Sequence, residues 1–315
     1  MKKHLVCASI ALTLFLATDL CRADTFGSGA NSFDIEFVTI GQPGNPADTT
    51  GDPNPAGAVP YEYRIGKYEI SEQMIDKANA LGALGITKDT RGPDMPATRV
   101  SWFEAARFVN WLNTSTGHVP AYKFDSLGAF QLWQPGDVGY NPANLFRNRL
   151  TRYVLPSADE WYKAAFYDPL SDEWFDFPNG SNTAPLPVAS GTDPNTAVFD
   201  QPFEQGPADI MQAGGPSPMG TVGQAGNIWE WEETEVDLLN DDPQANRGFR
   251  GSAWLPVSGN PLSLSSNFRH FIQLPGNSIG DTGFRVASIP EPNTAWLIVS
   301  GFSVLLLRRL YGYMR

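Results

Sequence analysis

Between residues 168 and 220 proline and glycine recur so closely that no long helix can run through the segment. Proline removes a helix hydrogen bond and clashes with the preceding turn, while glycine raises the entropic cost of any regular element. The stretch therefore reads as ordered loop with short strands. Residues 41–60, GQPGNPADTTGDPNPAGAVP, carry the same restriction and read as a turn-rich surface loop.

Regular structure is confined to a few recognisable places. Residues 61–71, YEYRIGKYEIS, alternate tyrosines and aliphatics with charged residues at a period near two, as a half-buried strand does. In SWFEAARFVNWLN (101–113), Ser101 and Glu104 can form a capping box, and Ala105, Phe108, Val109 and Leu112 recur at helical spacing. SADEWYKAAFY (157–167) repeats the device with Ser157 and Glu160, turning Trp161, Ala164 and Ala165 inward. Glu104 and Glu160 thus read as capping residues, not catalytic acids. GNIWEW (226–231), FRGSAW (249–254) and GFRVAS (283–288) are strand-like. If residues 228–230 are extended, Trp229 and Trp231 belong to the core and Ile228 and Glu230 point the other way. With no repeat and no internal linker, the fold class is α+β, two main helices among short strands and long coil.

Both ends carry signals. Lys2, Lys3, an apolar run over residues 5–16 and Cys21-Arg22-Ala23 ahead of Asp24 have the parts of a secretory signal, residues 1–23. Near the other end Pro290-Glu291-Pro292 precedes an apolar stretch, residues 294–307, followed by Arg308 and Arg309. At ~1.5 Å per residue that stretch spans about 21 Å, short of the roughly 30 Å hydrocarbon core, so membrane contact there is expected to be at least transient. The pattern over residues 290–315 resembles the PEP-CTERM sorting signal, which implies an exosortase-type partner and export to the envelope of a Gram-negative-type bacterium. An ordinary short tail anchor is the alternative. The folded domain then occupies residues 24–289.

The only cysteines, Cys7 and Cys21, lie within the expected signal. The mature chain would have no disulfide, no thiolate nucleophile and no cysteine-ligated metal. The formal charge is −12, and the signal carries +2 of the opposite sign, leaving −14 for the mature chain. That balance argues against nucleic acid as a partner and favours divalent cations as the specific use of the acidic residues. The remaining histidines, His118 and His270, lack the spacing of a zinc or iron site. Ser252 in RGSAW stands outside any GxSxG motif and reads as a turn residue. No acidic pair is marked out for glycoside hydrolysis.

Taken in order, YRIGKYEIS, PATRVSWFEAARFVNWLN, YVLPSADEWYKAAFY, GNIWEW, RGSAW and GFRVA resemble the sulfatase-modifying-factor family, the formylglycine-generating-enzyme (FGE-sulfatase) domain, across about residues 37–288. The resemblance implies an elaborated C-type-lectin-like fold. It also implies oxidation of a sulfatase cysteine to formylglycine by two cysteines that bind copper and engage oxygen. In this chain the corresponding stretch, RGSAWLPVSGNPLSLSSNFRH (250–270), contains no cysteine; the two places fall near Pro256 and among Pro261, Leu262 and Ser263. Copper is therefore not expected, because Cu(I) selects soft thiolates. The expectation is a non-catalytic binding or structural envelope protein. A formylglycine-generating oxidase acting on sulfatases or other exported proteins is the alternative. The cleft, lined by Trp254, Ser265, Asn267 and Arg269, would take an exported peptide or glycan. Relatives also hold structural calcium. Carried over, the ligands would be the carbonyls of Ala225 and of Gly226 or Ile228 with the Glu230 carboxylate, and at a second site Asn195 and Asp200, where Val198 replaces the usual asparagine.

Overall fold

A computed structural model describes residues 22–256, 261–270 and 273–289. The expected sorting tail, and all of the expected signal except Arg22 and Ala23, lie outside these residues. Arg22 and Ala23 open strand β1 (Arg22–Phe26), which pairs antiparallel with β2 (Phe33–Ile40). β2 is a half-buried strand in which Phe33, Ile35 and Phe37 alternate inward against outward Asp34 and Glu36. This hairpin adds to the strands expected from residue 61 onward.

The 61–71 segment forms a strand only over β3 (Tyr63–Gly66), since the chain then turns at Ser71 into a third helix, α1 (Glu72–Gly82). The expectation of two main helices is corrected here. Helix α1 escapes the capping signature because Ser71 makes no side-chain cap bond, so only Ile75 and Ala78 on its inner face mark it. Helix α2 (Trp102–Ser115) and α3 (Ala158–Phe166) both carry the full capping boxes, Ser101 with Glu104 and Ser157 with Glu160. Ala105, Phe108, Val109 and Leu112 are all buried, as their spacing requires.

The main sheet has the order β1-β2-β3-β8-β4, with β4 at Tyr153–Val154 and β8 at Ala287–Ser288, every neighbour antiparallel. Helices α1 and α2 pack on it around a core that includes Phe26, Phe33, Ile65, Trp102 and Phe284. A second sheet, β6-β5-β7, centres on β5 (Trp229–Glu235), antiparallel to β6 (Arg247–Arg250) and parallel to β7 (Thr282–Gly283). Helix α3 packs against β5.

Residues 168–220 are loop, as the prolines and glycines dictate, interrupted by two-residue strands and two 3-10 turns. The 41–60 loop is tied down over α3. Tyr162 donates to Asp48 at 2.6 Å, Asp159 accepts from the Gly57 amide at 2.7 Å, and Lys163 donates to the Gly41 and Gln42 carbonyls. Gly57 has φ +80° and packs so tightly that a Cβ there would sit 2.3 Å from the Trp174 ring. No helix among the described residues is long and apolar enough to cross a membrane.

Candidate functional site

Strand β5 carries Glu230, Glu232, Glu233 and Glu235, all fully buried. Buried carboxylates are tolerable only when paired and hydrogen-bonded. Arg285 forks onto Glu230, its Nε donating at 2.6 Å and its Nη2 to the other oxygen, and the Trp161 indole donates at 2.7 Å. Glu232 receives Arg250 at 2.6 Å and Arg269 at 2.7 Å. Glu233 accepts from the Arg147 Nε and the Tyr122 hydroxyl, each at 2.8 Å. The two Nη groups of Arg147 then reach Glu160, the capping residue of α3, which also accepts from Tyr61.

Burial pushes Glu232 upward, but the Arg269 and Arg250 guanidiniums outweigh it and hold the carboxyl below its usual range. Glu160 behaves alike: burial raises it and Arg147 brings it down. Glu69 is not held by an arginine hydrogen bond in this way. Its Oε1 accepts from Asn227 at 2.9 Å while Oε2 has no hydrogen-bond partner among the described residues. Burial raises it to about 7, with Arg285 opposing and Glu230 adding to the rise. The carboxylates bound by arginine are saturated acceptors, so they serve the fold and none is poised as a general base.

A cavity of about 410 Å³ opens beside Trp254, lined also by Arg91, Met95, Phe203 and Pro207. The Arg91 guanidinium lies 5.1 Å from the Trp254 ring, and Phe203 is 70% exposed at the rim. Of the four expected cleft residues, Trp254 is the one that lines this cavity. Arg269 is buried on Glu232, Ser265 closes a local turn by donating to the Leu262 carbonyl at 2.7 Å, and Asn267 is exposed outside it. Arg91 and Phe203 were not foreseen, because they sit in aperiodic loop where no pattern aims a side chain. Ser252 takes φ +69° in a turn, and its hydroxyl lies 2.9 Å from that of Ser263. His270 stacks on Phe249 with ring centroids 4.4 Å apart, and burial lowers its pKa.

Comparison with family profiles matches residues 61–289 to the sulfatase-modifying factor enzyme 1-like (FGE-sulfatase) domain. The chain belongs to this family. Among solved structures its fold is similar to Treponema denticola variable protein 1, with TM-score 0.56 and 19% identity over 85% of this chain and 99% of that one. CarF matches with TM-score 0.54 and 20% identity over 81% and 98% of the two chains. PvdO from Pseudomonas aeruginosa matches with TM-score 0.50 and 16% identity over 85% and 98%. A search of curated sequences returned no match. These likenesses establish the α+β, C-type-lectin-like architecture of the FGE-sulfatase fold.

Within this FGE-sulfatase domain the expected calcium ligand Glu230 does not fit the ion. Both of its oxygens are held by Arg285, one of them also by Trp161, and a divalent cation would have to displace a guanidinium of like charge. Ala225, Gly226 and Ile228 form the turn into β5, where Gly226 bridges to Val198. Asn195 and Asp200 flank that bridge on the exposed side, whereas Glu230 is fully buried. At the first expected site the Glu230 carboxylate is thus committed to Arg285, and at the second Asn195 and Asp200 lie exposed. Glu230 answers instead to Arg285 and Trp161.

Proposed function

We propose that this FGE-sulfatase domain is a non-catalytic binding module, exported to the cell envelope, that takes a peptide or glycan segment in the cavity beside Trp254. The observation that carries the reading is the hydroxyl pair Ser252 and Ser263, with no cysteine anywhere in residues 250–270. Ser263 lies at one of the places where the family resemblance puts a redox cysteine. A serine hydroxyl neither cycles between thiol and disulfide nor ligates Cu(I) as a thiolate does. Loss of chemistry with retention of fold follows when activity resides in a few grafted residues. Export is supported by the sequence before residue 24 and after residue 289. A cavity with an aromatic wall, an exposed phenyl at its rim and a guanidinium stacked on the indole suits an extended ligand with both apolar and polar faces.

Screening the purified protein on peptide and glycan arrays tests the reading. Binding is expected, and Phe203→Ala should weaken it at least tenfold while leaving the unfolding midpoint unchanged. Ligands bound equally by the Phe203→Ala and Trp254→Ala variants would place recognition elsewhere and sink the proposal.

A further inference from the structure

Among the described residues one group of three carboxylates, Glu235, Asp237 and Asp241, brings an oxygen from each within 4.8 Å of the others. The group lies where β5 ends and the connection to β6 begins. Asp237 and Asp241 are exposed, but Glu235 is fully buried. Its Oε1 accepts from the Asp242 amide at 2.7 Å, and Arg247 comes no nearer to it than 4.0 Å. Its Oε2 is buried and, among the described residues, no N–H or hydroxyl group donates to it. A buried carboxylate oxygen with no donor is costly, and two further carboxylates beside it raise that cost. A cation removes both penalties together.

The loop is held in shape independently of any ion. Asn240 is buried, accepts from the Glu235 amide at 2.9 Å and donates to Asn144 at 3.0 Å. Left-handed Leu238 and Asn240 fold the chain so that Asp237 and Asp241 return to Glu235. Calcium accepts six to eight oxygens in flexible geometry, as carboxylates completed by water provide, whereas magnesium demands a near-octahedral set at ~2.1 Å and gives up water reluctantly.

We propose that the β5–β6 connection binds one divalent cation of calcium size through Glu235, Asp237 and Asp241. This site is separate from the Ala225–Glu230 segment and does not depend on the function assigned to the Trp254 cavity. Water would complete the coordination on the exposed side, so the site is a weak one of the extracellular kind.

The test is calorimetric titration of the EDTA-stripped full chain with calcium chloride, and in parallel with magnesium chloride. One calcium per chain is expected, with Kd on the order of 10⁻⁵ to 10⁻³ M, and magnesium at least tenfold weaker. Saturating calcium should raise the unfolding midpoint by about 5 °C. Asp237→Asn and Asp241→Asn should each weaken calcium at least tenfold, and Asp200→Asn should leave it unchanged. Their midpoints in EDTA, expected at or above that of the parent, show that they fold. A readout without substitution is manganese broadening of backbone NMR signals, expected at residues 235–242. No calcium heat, undiminished binding by the two variants, or broadening confined to other residues would each overturn the assignment.

Discussion

Removing Arg285 should expose how much of this fold rests on the charges buried along β5. In Arg285→Met, Glu230 keeps only the Trp161 indole and remains next to Glu69, while the Gly66 and Val222 carbonyls lose their guanidinium donors. Breaking a buried ion pair by deleting one partner costs ~3–5 kcal/mol, because the other charge stays desolvated. For a domain of this size each kcal/mol lowers the midpoint by ~2–4 °C, so a fall of roughly 6–20 °C is expected. Glu230→Gln alone should also destabilise, since it leaves Arg285 unpaired. The double variant removes both charges and should lie at least ~1.5 kcal/mol above the sum of the singles. Urea unfolding in EDTA, followed by tryptophan fluorescence, measures all four proteins. Singles within ~1 kcal/mol of the parent, or additivity within ~0.5 kcal/mol, would refute the pairing. Calcium rescue of Arg285→Met would return Glu230 to the role of metal ligand.

Three further outcomes follow from the same geometry. Glu69, raised to about 7 from an ordinary 4.5, gives stability that is fully present below pH 4.5 and lost as pH rises through 7. Glu69→Gln should therefore leave the midpoint near pH 5 almost unchanged and gain up to about 3 kcal/mol at pH 8, read from paired melts. Gly57→Ala must accept φ +80° and a Cβ driven into Trp174, and should lose about 2–4 kcal/mol in chemical unfolding. Trp102 is fully buried and its indole donates to the Glu232 carbonyl at 2.9 Å, so Trp102→Ala should lose about 3–5 kcal/mol by the same measurement.

What the sequence revealed depended on range. The capping boxes of α2 and α3 are written within four residues, so the roles of Ser101, Glu104, Ser157 and Glu160 are legible from local sequence alone. Helix α1 lacks that signature, and its inward positions Ile75 and Ala78 are too few to stand out. The burial of Glu232 and Glu233 was illegible because the run WEWEETE breaks the apolar alternation of a strand. The compensating charges lie far away in the chain, Arg285 at 55 residues from Glu230 and Arg147 at 86 residues from Glu233. One signal was present. All four Phe-Arg dipeptides of the chain, at 146–147, 249–250, 268–269 and 284–285, supply arginines to the glutamates of β5. Phe146, Phe249 and Phe284 are buried in the main core, so each phenyl anchors its segment while the adjoining guanidinium reaches the carboxylates. Of the expected cleft residues, Trp254 of RGSAW does line the cavity. Ser265 and Arg269 lie outside that cavity, and spacing alone does not distinguish a cleft wall from a local turn or a buried ion pair.

Whether the FGE-sulfatase fold here works without its redox chemistry is decided by incubating the purified protein with copper, air and a cysteine-containing sulfatase-motif peptide. Mass spectrometry then looks for the aldehyde. The absence of thiols from residues 24–315 predicts that the peptide cysteine is recovered unchanged, at the level of a protein-free control. Formylglycine formed above that control, in proportion to protein, would contradict the account.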